Sequence, residues 1–131
     1  MQRIATLDDI ARGLDALCVI DPRLEKVRGM AGEVPLRLSE PGFRSLASIV
    51  VSQQVSRASA DAIFGRLTRL VDPLTPQAIL AAGEDMFREA GLSRPKQRDL
   101  IAVAQAVVGG LDLHHLCSLD AQEAITTMTA V

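Results

Sequence analysis

The stretch Phe43-Arg44-Ser45-Leu46-Ala47-Ser48-Ile49-Val50-Val51-Ser52-Gln53-Gln54-Val55-Ser56 decides how the chain is read. Phe43, Leu46, Ala47, Val50 and Val51 recur at the spacing that aligns side chains on one face of a helix. Gln53-Gln54-Val55 breaks that pattern. Ser56, whose hydroxyl can accept the free N–H groups of a helix start, then opens a second helix with Ile63, Phe64, Leu67 and Leu70 along one side. Two amphipathic helices thus meet at a polar corner. Pro41, just ahead of the first, suits the opening position of a helix because it lacks the N–H that would go unpaired there.

Working outward, the same helical period recurs with start and stop signals, and no sustained strand-type alternation is present. Upstream, Thr6 with Asp9 reads as a capping pair for a helix carrying Ile10, Leu14 and Leu17, which Asp21-Pro22 ends. A short helical turn from Pro22 to Val27 follows. Gly29 to Pro41 then reads as a loop, with at most a brief extended piece at Leu36-Arg37-Leu38. Downstream, Asp72-Pro73 stops the second helix of the corner, and Thr75-Pro76 starts a short one that closes at Gly83. Glu84 to Ala90 forms another, with Gly91 just past its end. Ser93 opens a helix with Leu100, Ile101, Ala104, Val107 and Val108 inward, and Gly109-Gly110 stops it. A brief segment at Leu113 to Cys117 precedes a last helix, which Asp120 and Glu123 cap. The expectation is all-α: one helical domain over residues 1–131, a compact bundle of about seven or eight helices.

The chain has 131 residues, 48% of them apolar, with 3 Phe and no Trp or Tyr. A domain of that size buries roughly two thirds of its unfolded surface, so it needs neither metal nor disulfide to fold. Its apolar runs are far shorter than the ~20 residues that span a bilayer, and Met1 to Asp9 lacks the apolar core of a secretory signal. A cytoplasmic protein that does not contact membranes is expected. Cys18 and Cys117 are too few for a four-cysteine zinc or iron–sulfur site and read as reduced core residues. His114-His115 has no further ligand at metal spacing, and Ser45, Ser48, Ser52 and Ser56 have no histidine partner of the kind a nucleophilic serine needs. No cofactor is expected. Phe43, Phe64 and Phe87 read as core.

Charge is unevenly distributed. Residues 41–98 carry 8 basic and 5 acidic side chains, whereas residues 99–131 carry no basic and 4 acidic ones. Seven of those 8 cations are Arg, whose planar fork matches phosphate oxygens. A net charge of -2 argues against coating nucleic acid indiscriminately and allows a local contact. On charge alone, ordinary solvated helix faces are the better reading, because nucleic-acid domains are usually far more basic.

Ser52-Gln53-Gln54-Val55-Ser56, continuing through Ala58, Ala60, Ile63 and Arg66-Leu67, resembles the helix-hairpin-helix DNA glycosylases, the DNA-3-methyladenine glycosylase II branch above all. Leu74-Thr75-Pro76, Ile79-Leu80, Ala90-Gly91-Leu92-Ser93-Arg94-Pro95-Lys96 and Asp21-Pro22-Arg23-Leu24 are similar to the same branch. The resemblance implies base-excision repair: hydrolysis of the N-glycosidic bond of an alkylated base after the nucleotide leaves the stack. It makes duplex DNA with alkylated bases the partner and Gln54 the plug that fills the vacated space, with Ser56 facing the minor groove. A flat amide can wedge between bases and hydrogen-bond the orphaned partner. Gln53 reads instead as capping a helix end. The candidate DNA-binding residues are Gln53, Gln54, Val55, Ser56 and Arg57 at the corner, with Ser93, Arg94 and Lys96 at a helix start. There, free N–H groups and cations suit a phosphate, although solvated surface explains the same residues.

In that family a Gly-hydrophobic-Gly hairpin follows the helix corresponding to Asp120 to Thr129, then a pocket Trp and the catalytic Asp. The last glycine here is Gly110, and Val131 falls where the hairpin would begin. Asp112 and Asp120 suit helix starts, so no catalytic residue is assigned. The chain reads as the N-terminal part of such an enzyme, inactive by itself, its last helix left with an apolar face for a second copy or a C-terminal segment to cover. The competing reading is a non-enzymatic helical module that binds DNA or dimerises.

Overall fold

The computed structural model describes residues 3–131. Among them are nine α-helices and no strand, so the all-α expectation holds with more helices than the seven or eight anticipated. The chain divides into two compact units, Met1–Ser39 and Glu40–Val131.

The first unit holds α1 (Leu7–Ile20) and α2 (Leu24–Ala31). The Thr6 hydroxyl accepts the Asp9 N–H at 3.2 Å, while the Asp9 carboxylate accepts the Thr6 N–H at 2.9 Å. Two donors that the first turn leaves unpaired are thereby satisfied. Asp21 ends α1 and takes Arg23 Nε and Nη2 at 2.9 and 2.8 Å. Asp15 on α1 pairs with Arg28 on α2 at 2.6 Å, and Cys18 is buried. α2 extends beyond the expected turn, through Gly29 to Ala31. A glycine inside a helix costs about 1 kcal/mol without forbidding it, so the stop falls at Gly32 and the loop is shorter than the sequence suggested.

The second unit holds α3 (Phe43–Ser52), α4 (Arg57–Leu70), α5 (Pro76–Ala81), α6 (Glu84–Ala90), α7 (Arg94–Val108), α8 (Leu113–Leu116) and α9 (Ala121–Thr129). α7 packs on α5 and α3, and α4 packs on α3 and α6. Their shared core contains Phe43, Ala47, Val50 and Val51 of α3, Leu67 of α4, Ile79 of α5, Phe87 of α6, and Leu100, Val103 and Ala104 of α7. Leu67, Ile79, Leu100 and Val51 are its largest fully buried side chains. The core residues of α3 and α4, with Leu100 and Ala104, are legible from helical spacing and Phe87 from its residue type; the sequence reading gives Ile79 no inward role, and the inward list for α7 omits Val103. Leu70 and Val108 are exposed because each stands at the end of its helix, beyond the packed layer.

Two expectations fail here and a third, for Phe64, holds in part. Pro41 is not at the opening position of α3: it stands two residues before Phe43, because the turn at Gly42, the N-cap at φ +126°, separates it from the helix. Cys117 is exposed, not core, because it caps the single turn of α8 with its thiol directed to the Leu113 carbonyl at 3.5 Å. Phe64 packs against the core as expected but is only half-buried; its ring carries the Arg44 guanidinium 5.3 Å from its centre. Among the described residues no helix is long and apolar enough to cross a membrane.

Candidate functional site

α3 and α4 are joined by Gln53, Gln54, Val55 and Ser56, and these four residues with Arg57 are all exposed. Gln53 leaves helical geometry at φ -62°, ψ 133°. Gln54 follows in the left-handed region at φ +58°, alone among the described non-glycine residues in having a positive φ. Such a setting costs a side-chain-bearing residue about 1–2 kcal/mol and survives where its surroundings impose it. Ser56 then accepts the Ser59 N–H at 3.2 Å as the cap of α4 and donates its own proton to Ser59 Oγ at 3.0 Å. Its hydroxyl is therefore occupied locally, and its exposed edge faces out beside Gln54.

Neither Gln53 nor Gln54 makes a side-chain hydrogen bond to any described residue. The expected capping role of Gln53 is not what the structure displays: the Ser52 hydroxyl takes the Ile49 carbonyl at 2.9 Å instead. Both amides, with one acceptor and two donors apiece, point to solvent unspent. Arg57 and Arg94 likewise make no ion pair or hydrogen bond with a described residue.

The second candidate segment lies at the start of α7, and the fold brings it to the first. Lys96 is half-buried and its Nζ donates to the Val51 carbonyl in the last turn of α3, across 45 sequence positions. Ser93 is the N-cap of α7 but its hydroxyl makes no capping bond, leaving the first N–H groups of a 15-residue helix uncapped by a side chain. Lys96 thus ties the start of α7 to the last turn of α3, while Arg94, two residues earlier, lines a groove with Ala82, Glu84, Phe87, Gln97, Arg98 and Ile101. At the corner itself the N-terminal end of α4, which carries partial positive charge, stands with Arg57.

The loop ahead of α7 is held by Gly91, read from the sequence as a helix end, and by Arg66 and Gln97, whose bonds the sequence did not indicate. Gly91 sits at φ +88° and its N–H returns to the Arg88 carbonyl at 3.0 Å, while the Leu92 N–H returns to Phe87 at 3.0 Å. This is the double closure of a helix end that favours glycine. Arg66 Nε of α4 donates to the Ala90 carbonyl at 3.1 Å, and Gln97 Nε2 of α7 donates to the Leu92 carbonyl at 2.8 Å. Gln97 lies one helical turn beyond Ser93 and so could have been suspected. Nothing local links Arg66 to residue 90.

Asp112 and Asp120 are spent as caps, accepting the His115 and Glu123 N–H groups at 3.0 and 2.9 Å. The His115 N–H holds the Asp112 carboxyl below its usual range, the opposite of a poised general acid. Among the described residues no group of His, Cys, Asp and Glu could hold a metal ion. What the corner presents is two unspent amides on a fixed turn, with Arg57 and the start of α4 beside them.

Residues 47–129 match the HhH-GPD superfamily of base excision DNA repair proteins. A solved structure of a DNA-3-methyladenine glycosidase from Bacillus halodurans is similar, with a TM-score of 0.73 and 33% identity over 87% of this chain and 54% of that one. The chain therefore spans about half the length of that protein. No curated protein matches.

Proposed function

This chain belongs to the HhH-GPD superfamily of base excision DNA repair proteins, and from that premise we propose that it serves a DNA-3-methyladenine glycosylase as the part that grips duplex DNA and fills the gap left by a flipped alkylated base. The observation that carries this reading is Gln54: exposed, held at φ +58° at the tip of an interhelical corner, its amide unspent. A strained residue at a tip costs folding energy and gains no internal bond, which fits a role outside the molecule. Gln53, Val55, Ser56 and Arg57 would line the same DNA-facing corner, with Ser93 and Arg94 meeting a neighbouring phosphate and Lys96 behind them. Cleavage needs a carboxylate to stabilise the oxocarbenium-like sugar, and residues 1–131 offer no candidate for it. The reading places the protein in the cytoplasm, with no membrane contact.

The test is equilibrium binding of residues 1–131 to two duplexes, one intact and one carrying an abasic-site analogue. Tighter binding to the gapped duplex is expected, with Gln54→Ala removing about tenfold of it, the size of one lost hydrogen-bonded wedge. Equal binding of both duplexes by the wild type overturns the proposal. The same residues are expected to release no base from N3-methyladenine or hypoxanthine DNA.

A second reading, a helical module that pairs with another copy of itself, draws on apolar exposure. Val19, Ile20 and Met30 are 81%, 79% and 80% exposed, and Ile125 on α9 is 55% exposed. Apolar surface left in water favours a cover. A sedimentation coefficient that rises with concentration supports this reading, and a constant one removes it.

A further inference from the structure

Among the described residues, eight of the nine helices close at the C-terminus through their own backbone, an N–H at the C-cap or just past it returning to a carbonyl about one turn earlier. α3 does not: no such bond forms at Gln53. The chain leaves instead through an extended Gln53 and a left-handed Gln54, so the last carbonyls of α3 are left to side chains, the Ser52 hydroxyl donating to that of Ile49 at 2.9 Å. One of them, Val51, is taken by the Lys96 ammonium. Helix C-termini also carry about half a negative charge, and this one points into the corner proposed to face a polyanion. A cation there satisfies the carbonyl and offsets the charge together.

We infer that Lys96 is a positioning residue for Gln54: it stands in for the missing backbone closure of α3 and so fixes the turn that presents the amide. This rests on the reading of Gln54 as the residue that enters the gap. The sequence suggested a direct phosphate contact for Lys96, and the two roles differ in what they predict. A lysine spent on Val51 has its bond inside the protein whether or not DNA is bound. Its loss therefore disorders the corner without removing a counterion-releasing contact. Arg57 and Arg94, which have no described partner, remain the residues able to meet phosphate.

The experiment titrates wild type, Lys96→Met, Gln54→Ala and the double variant against intact and gapped duplexes at several salt concentrations. Lys96→Met is expected to lower the preference for the gapped duplex by about tenfold, the scale of a lost charge-assisted hydrogen bond. Binding to intact duplex and the salt slope should stay unchanged. The double variant should be no worse than Gln54→Ala, because a positioning residue has nothing left to position. Equal weakening on both duplexes with a salt slope reduced by about 1 would make Lys96 a phosphate contact and overturn the inference. So would an unchanged preference. If Lys96→Met does not fold, Lys96→Gln decides: a preference lowered by less than about tenfold at unchanged slope supports the inference, and an unchanged preference or a lower slope overturns it. Wild type that fails to discriminate the duplexes removes the reading of Gln54 and this inference with it. Discrimination that depends on Gln54 but not on Lys96 removes this inference alone.

Discussion

At the scale of single residues, two positive φ values lead to opposite expectations. Gly91 at φ +88° has Arg66 packed against it, so a Cβ there would meet the guanidinium at 2.9 Å. Gly91→Ala should lower stability by about 1–2 kcal/mol, the cost of the left-handed setting for a residue with a Cβ, read as a lower urea midpoint. Gln54 occupies the same region of backbone space with a side chain already in place. Gln54→Gly should therefore leave stability unchanged or raise it by up to about 1 kcal/mol, while the preference for gapped DNA falls. A residue whose removal helps the fold and harms binding is kept for binding. If Gln54→Gly destabilises the protein as Gly91→Ala does, Gln54 is a structural turn residue and nothing more.

The elements were the most legible level, because their signals are local. Thr6, Ser56, Thr75 and Asp120 each accept the N–H three residues on, as their residue types led one to expect. Loop lengths were less legible: α2 continues through Gly29, and Gly42 rather than Pro41 precedes α3. Propensity marks where a helix is weakened, whereas packing and the next workable stop decide where it ends. Three helix ends also set the response to acid. Asp9 is held below the usual 3.8, first by the Ala5 N–H and then by the Thr6 hydroxyl and N–H. Asp21 is lowered by Arg23 and Asp112 by the His115 N–H. A carboxyl whose folded pKa is lowered adds stability that is complete above its unfolded value and fades as pH falls through the folded one. Stability is therefore expected to hold down to about pH 4 and to drop below it. In Thr6→Ala the Asp9 titration, followed by NMR, should move up toward 3.8 without reaching it, since the Ala5 N–H remains. An Asp9 that titrates at its usual value in the wild type would remove the capping box.

At the scale of the whole molecule, stability and interaction draw on different parts. The buried cluster lies in the unit Glu40–Val131, and Leu100 is fully enclosed there. Leu100→Ala should cost about 2–5 kcal/mol by chemical unfolding, whereas Val19→Ala, with its side chain in water, should cost under about 0.5 kcal/mol. A comparable loss at Val19 would mean that something covers it in solution. The charge distribution bears on DNA binding in the same way: with a net charge of -2, few phosphates can be neutralised. The logarithm of affinity is expected to fall against the logarithm of salt with a slope of about -2 to -4. A much steeper slope would put more of the Arg residues in 41–98 on DNA than Arg57 and Arg94.

The sequence by itself determined that the chain is helical, where the corner lies, which residues stand on it, and the family they resemble. Each of these is a property of neighbours in the chain: helical period, a cap, a glycine at a stop. Only the tertiary structure decided that Lys96 meets Val51, that Arg66 holds residue 90, and that α3, lacking a backbone closure of its own, has a side chain from elsewhere at its last turn. Those bonds join residues 45 and 24 positions apart. No local pattern specifies them, because it is the burial of Leu67, Ile79 and Leu100 between helices that brings such groups within bonding distance.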